Sequence, residues 1–154
     1  MTVPPGSAGG YQASLTFASS PAAPQELKGV TVRVAMKVGA LVLVEVEKTQ
    51  KYQGIITEFK ALTPRAGKPI EVRAGFRNTG NVRMEANGRL SILDKSGNAV
   101  GWTKFPPLKT LPGDAWTVKA AWANGLPAGT YRLVGTFELA PGVLIVKETD
   151  IDVK

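Results

Sequence analysis

The chain has 154 residues, 44% of them hydrophobic and 20% charged, with a formal net charge of +7 and neither histidine nor cysteine. Such a length suits one domain, or one domain and part of another, and the balance excludes a disordered polypeptide. Without Cys and His there are no disulfides, no thiolate nucleophile, no usual zinc set and no imidazole base, which leaves carboxylates, lysine and serine as the only catalytic options.

An isoelectric point near 9.8 permits anionic partners. The basic residues are dispersed from Lys28 to Lys154, however, which reads as solubilising surface rather than a dedicated tail. The 17 glycines and 11 prolines fall singly or in pairs between apolar runs, the punctuation of many turns and hence of β structure. No stretch reaches the ~18 consecutive apolar residues of a membrane span. The start, MTVPPGSAGG, has neither a basic leader nor an apolar core, so an export signal is expected outside this chain.

In chain order, Tyr11, Ala13, Leu15 and Phe17 alternate with Gln12, Ser14 and Thr16, the period of a half-buried strand. The segment SSPAAPQELKG reads as a Pro/Ser loop. From Val30 to Val46 every even position is apolar, which predicts one continuous strand of ~60 Å. A hairpin turn at Gly39-Ala40 would instead set Val34 opposite Glu45 and Val32 opposite Glu47, turning two carboxylates toward the apolar side. Glu47–Gly54 is polar and reads as an interdomain linker.

Beyond it, strands are predicted over 55–62, 70–77, 82–85, 89–93, 100–105, 116–122, 131–139 and 143–153, with no capped helical period. The expectation is an all-β chain. Residues 50–154 form a complete immunoglobulin-like antiparallel sandwich, and residues 1–49 hold the last two strands of a second, incomplete immunoglobulin-like domain. In LPAGTYRL, Tyr131 follows a Pro/Gly corner into a late strand, as in the tyrosine corner of such sandwiches.

The residues TVPPGSAGGYQASLTF and VTVRVAMKVGALVLVEV resemble the last two strands of the first domain in periplasmic pilus-assembly chaperones. The later stretches FRNTGNVRMEANGRLSILDKSGNAVG, LPGDAWTV and LPAGTYRLVGTFE are similar to bacterial cell-surface domains linked to adhesion and wall association. The first resemblance implies strand donation, in which alternating side chains enter an incomplete subunit. Val30, Val32, Val34, Met36, Val38, Val42, Val44 and Val46 would present that pattern. Leu41 stands where those chaperones carry the lysine that holds the subunit's terminal carboxylate.

Chemistry is sparse elsewhere. Glu45/Glu47 and Asp150/Asp152 lie at i, i+2, as solvated strand faces do, and neither pair alone makes a cation site. Asp94–Asn98 fits a hairpin turn with Gly97 left-handed better than a calcium loop. Arg73, Arg77, Arg83 and Arg89 are candidate contacts for an anionic cell-wall polymer, a solvated face being the plainer reading. Interleaved exposed aromatics are lacking, so nucleic acid is not expected.

Trp116 and Trp122 share the parity of Val118 and Ala120 and are expected in the core. Trp102 reads first as core as well, although an exposed Trp102 could stack on a sugar ring. The sequence therefore points to a non-enzymatic module of the bacterial envelope, without catalytic residues, metal or cofactor. Its partner would be a protein, or a second copy, met through the long N-terminal strand. A pilus-chaperone-like protein and a carbohydrate-binding module are the alternatives.

Overall fold

Alternating patterning resolves into twelve strands and no helix in a computed structural model that describes residues 4–19, 25–27, 30–32, 35–62 and 64–154. The N-terminal strands are β1 (Gly10–Ala18), β2 (Gln25–Leu27), β3 (Val30–Val32) and β4 (Lys37–Glu45). β1 pairs with β4 antiparallel in register Gly10↔Glu45 through Ala18↔Lys37, and β2 pairs with β3. Gly39 lies inside β4 opposite Thr16, so the chain does not fold back there.

The strand predicted from Val30 to Val46 is nevertheless interrupted. β3 ends at Val32, β4 begins at Lys37, and Ala35 and Met36 belong to no strand. The partner strand explains the break. β1 stops at Ala18, and its last backbone tie to the other strand is the Ser19 amide donating to the Met36 carbonyl at 2.9 Å, while the Met36 amide turns to the Ser19 hydroxyl at 3.0 Å. The segment expected to be only a Pro/Ser loop contains β2. Val34 lies outside the described residues.

The remaining strands are β5 (Gly54–Leu62), β6 (Ile70–Asn78), β7 (Met84–Leu93), β8 (Ala99–Lys104), β9 (Leu108–Thr110), β10 (Ala115–Trp122), β11 (Gly129–Ala140) and β12 (Val143–Val153). They form two facing antiparallel sheets, β10-β6-β5 and β12-β11-β7-β8, with β9 on β7. Along the sandwich margins β12 lies against β5, and β8 against β10. This is an all-β, immunoglobulin-like sandwich, as the spacing of turns predicts.

The strand period sets the core. Ile70, Val72, Ala74 and Phe76 of β6 are fully buried, facing Leu90 and Ile92 of β7 and Leu133 and Phe137 of β11. Phe137 packs on Phe105 at 5.0 Å and on Phe76 at 6.3 Å between ring centroids. Two predicted strands, 82–85 and 89–93, are in fact the single β7. Gly88 lies beneath the Phe137 ring, where any β-carbon would collide with it, so this glycine is a packing position and not a turn. β9 was hidden in PPLKTLPGD, a short edge segment between prolines.

Candidate interaction surface

The β1–β4 ribbon has an apolar face set by its register. Tyr11 sits opposite Val44, Ala13 opposite Val42, Leu15 opposite Ala40 and Phe17 opposite Val38. Nothing described covers that face: Phe17 is 66% exposed and Leu15 52%. The reverse face is mixed, with Gln12, Ser14 and Thr16 beside Leu41 and Leu43, and Leu41 is 66% exposed. Among the described residues each of the two strands pairs on one side only, leaving a free edge of amides and carbonyls.

Of the strand-edge candidates, the ribbon collects Val38, Val42 and Val44, with Met36 just before it and Val46 just after. Val30 and Val32 are in β3, opposite Leu27 and Gln25.

The ribbon is held to the sandwich at its base. The Gly10 amide donates to the Asn81 carbonyl at 2.7 Å, and Val46 donates to the Gly9 carbonyl at 2.9 Å. The Asn81 side chain clamps the segment read as a linker, accepting from the Lys51 amide at 2.7 Å and donating to the Thr49 carbonyl at 3.0 Å. Thr49 in turn accepts from the Gly9 amide at 2.8 Å.

Asn78, fully buried, donates to the Val82 carbonyl at 3.1 Å and accepts from the Gly80 amide at 2.9 Å, fixing the loop that carries Asn81. A cleft of about 210 Å³ lies at this junction, lined by Tyr11, Leu43, Glu45, Arg83 and Leu111 among others. In the sequence, residues 78–81 are merely the gap between the strands predicted over 70–77 and 82–85, and no motif there predicts this clamp. The only signal was the density of hydrogen-bonding Asn and Thr around Gly80.

The four candidate arginines do not form one stripe. Arg73 and Arg77 lie on the outer face of β6, Arg89 on the outer face of β7 in the other sheet, and Arg83 beside the ribbon cleft. The Arg89 guanidinium stands 4.7 Å over the Trp102 ring.

Trp102 is 50% exposed, correcting the core expectation. It sits on edge strand β8 opposite Ser91, on the outward side. Trp116 is also exposed, at 53%. Its parity with the buried Ala120 holds, but the opposing cover fails along β10 before reaching it. Trp122 alone packs on the core, its ring filling the space over Gly101.

The acidic pairs are engaged locally. Asp150 accepts from Arg132 at 2.9 Å, which holds its carboxyl below the usual range and Arg132 above its own. Asp152 accepts from the Thr130 hydroxyl at 2.8 Å. Both oxygens of Asp94 are used by the turn it caps. Oδ1 accepts from the Ser96 and Asn98 amides at 2.8 and 2.9 Å, Oδ2 accepts from Asn98 Nδ2 at 3.1 Å, and Gly97 has φ of 84°. Among the described residues no cluster of three or more acidic side chains is set to hold a metal, and no helix is long and apolar enough to cross a membrane.

No protein-family model and no curated protein matches the chain. Solved structures do. A structure assigned as a β-galactosidase from Bacteroides fragilis superposes with a TM-score of 0.53 at 17% identity over 88% of this chain, which spans 22% of that one. The C-terminal domain of Wzt gives 0.50 at 11% identity, over 70% of this chain and 74% of that domain. A CARDB domain from Pyrococcus furiosus gives 0.49 at 16%, over 66% and 88%. At these identities the likeness is one of fold.

Proposed function

We propose that the chain is a non-enzymatic, immunoglobulin-like interaction module of a bacterial cell envelope, whose working surface is the β1–β4 ribbon. In this reading residues 50–154 are the supporting sandwich and residues 1–49 belong to a second immunoglobulin-like unit. The ribbon engages another polypeptide by its apolar face and by addition of a strand to a free edge. The observation that carries this is the uncovered row of Tyr11, Leu15, Phe17, Val38 and Val42 on a two-stranded element clamped to a folded domain.

Two strands alone are marginally stable in water, and an exposed flat edge invites pairing. Backbone hydrogen bonds supply affinity and alternate side chains supply selectivity. Strand donation of the pilus-chaperone kind is a special case of this mode, and Leu41 in place of the anchoring lysine, which leaves a subunit's terminal carboxylate without its cation, counts against it.

The test uses the chain itself as partner. In purified protein a second copy is the polypeptide at hand to cover the apolar face, so light scattering should show concentration-dependent association. Val42→Asp should abolish it while leaving the sandwich's thermal transition in place. A wild-type chain that stays monomeric at all concentrations and binds no hydrophobic dye would remove the basis for the reading.

A second reading, carbohydrate binding, draws on the exposed Trp102 ring with Arg89 over one face. Loss of glycan-array binding in Trp102→Ala is its test.

A further inference from the structure

The outer face of the three-stranded sheet carries a row of cations set directly opposite one another. In register, Lys119 of β10 faces Arg73 of β6, and Arg73 faces Lys60 of β5. Arg77 lies four residues further along β6 on the same face, between Ala115 and Ile55. Even positions of β6 are fully buried, so these odd positions point outward.

Like charges directly opposite on a sheet are destabilising. A folded chain with a surplus of other surface positions has no structural need to place three cations in one cross-strand row. Lys60 is paired with Glu58, whose carboxylate also feels the charge of Arg73. Among the described residues, neither Arg73 nor Arg77 nor Lys119 has a carboxylate within 4.0 Å. The Arg73 Nε is buried and has no hydrogen-bond partner, a donor left over at the centre of the row.

Between Arg73 and Arg77 the strand carries Gly75. The bulge in β5 swings Thr57 across it, so that the Thr57 hydroxyl occupies the space a β-carbon would take. The face therefore offers two guanidinium forks about 13 Å apart along β6, with the Thr57 hydroxyl and Glu58 between them, and flanking ammonium groups across ~10 Å of sheet. Such spacing suits consecutive charges on one extended polymer rather than a single small anion.

The side chains around the row also select among polyanions. Two carboxylates, Glu58 opposite Gly75 and Glu71 beside Arg73, share this face and leave it net positive, and the other outward neighbours, among them Ala115, Thr117, Ile55 and Leu62, include no aromatic on which a base could stack.

We infer that this face is a binding site for a linear phosphate polymer lacking nucleobases, held by Lys60, Arg73, Arg77 and Lys119. The site is independent of the ribbon, so Val42→Asp leaves it intact.

Titration with short inorganic polyphosphate, with poly(glycerol phosphate) and with a single-stranded oligothymidylate tests it at two salt concentrations. Both phosphate polymers should bind, the tighter naming the natural source, and the oligothymidylate should bind more weakly. Arg73→Gln with Lys119→Gln should weaken polymer binding roughly tenfold or more and lower the salt slope by about two. Arg83→Gln with Arg89→Gln removes the same charge elsewhere and should leave affinity within about twofold.

In the free protein the Arg73→Gln/Lys119→Gln pair should melt at or above the wild-type temperature, because cross-strand repulsion is relieved. Equal weakening by the two pairs, no binding at low salt, tighter binding of the oligothymidylate, or a lowered melting temperature for Arg73→Gln/Lys119→Gln would each overturn the assignment.

Discussion

Gly80 lies directly under the carbonyl oxygen of Lys51, closer than any β-carbon could approach, while its own amide donates to Gln53 O at 3.0 Å and to Asn78 Oδ1 at 2.9 Å. The segment joining ribbon to sandwich is thereby laid onto the 78–81 loop instead of swinging free. Gly80→Ala must push the two backbones apart and should cost roughly 2 kcal/mol or more of unfolding free energy, read by urea denaturation. Asn81→Ala removes the Lys51 and Thr49 bonds and should cost about 1–2 kcal/mol. In both, amide exchange at Gly10 and Val46 should quicken before exchange in β6 and β7. Unchanged exchange at the ribbon base would mean the clamp does not hold it.

Self-association has a definite register to test. β4 reads KVGALVLVE, a lysine at one end, a glutamate at the other and Leu41 midway. Two β4 edges meeting antiparallel about a two-fold axis at Leu41 set Lys37 opposite Glu45 of the second copy at both ends, and Val38 opposite Val44. Exposed pairs of this kind are individually weak, so Lys37→Glu or Glu45→Lys should weaken the dimer roughly five- to tenfold, and the exchanged double variant should restore it. Restoration by the double variant is the diagnostic result in sedimentation equilibrium. Its failure would point to a face-to-face dimer through Leu15 and Val42.

The Tyr131 hydroxyl donates to the Pro127 carbonyl at 3.2 Å, closing the corner that introduces β11. Tyr131→Phe keeps the ring against the core and deletes only this bond. A loss of about 1 kcal/mol is expected, seen as a lowered denaturation midpoint with an unchanged slope. A change in slope would mean the substitution altered more than the bond.

The sandwich was legible because its strands are half-buried, so parity alone marked Ile70, Val72 and Phe76 as core. The tyrosine corner and the Asp94–Asn98 turn were legible because side chain and backbone there interact within a few residues. What failed depended on cover from distant elements. Trp116 shares its parity with Ala120, yet the facing sheet does not reach it, and Trp102 sits on an edge strand with an open outer side.

The basic face escaped notice for the same reason. Arg73, Lys60 and Lys119 are far apart in sequence and become neighbours only through register, whereas Arg73, Arg77, Arg83 and Arg89 look like a series but are divided between two sheets and a loop. The break in the long N-terminal strand follows from where β1 ends, which the valine pattern does not record.

The Asp94 turn makes an acid-sensitive contribution whose sign can be fixed. Its carboxyl is held below the ordinary aspartate value, chiefly by the Asn98 side chain, then by the Asn98, Ser96 and Gly97 backbone. A depressed folded-state value means the carboxylate is preferred in the native state. Its stabilisation is therefore complete above the unfolded value of about 3.9 and is lost as pH falls through the lower folded value. Asp150, lowered by Arg132, and Glu58, lowered by Lys60, act in the same direction. Asp94→Asn keeps a turn-forming side chain but cannot titrate. It should melt lower than wild type at neutral pH, and the gap should narrow below pH ~4 as the wild-type carboxyl protonates. Melting curves collected from neutral pH into acid decide the matter. A gap that stays constant across that range would mean the Asp94 charge contributes nothing to the turn.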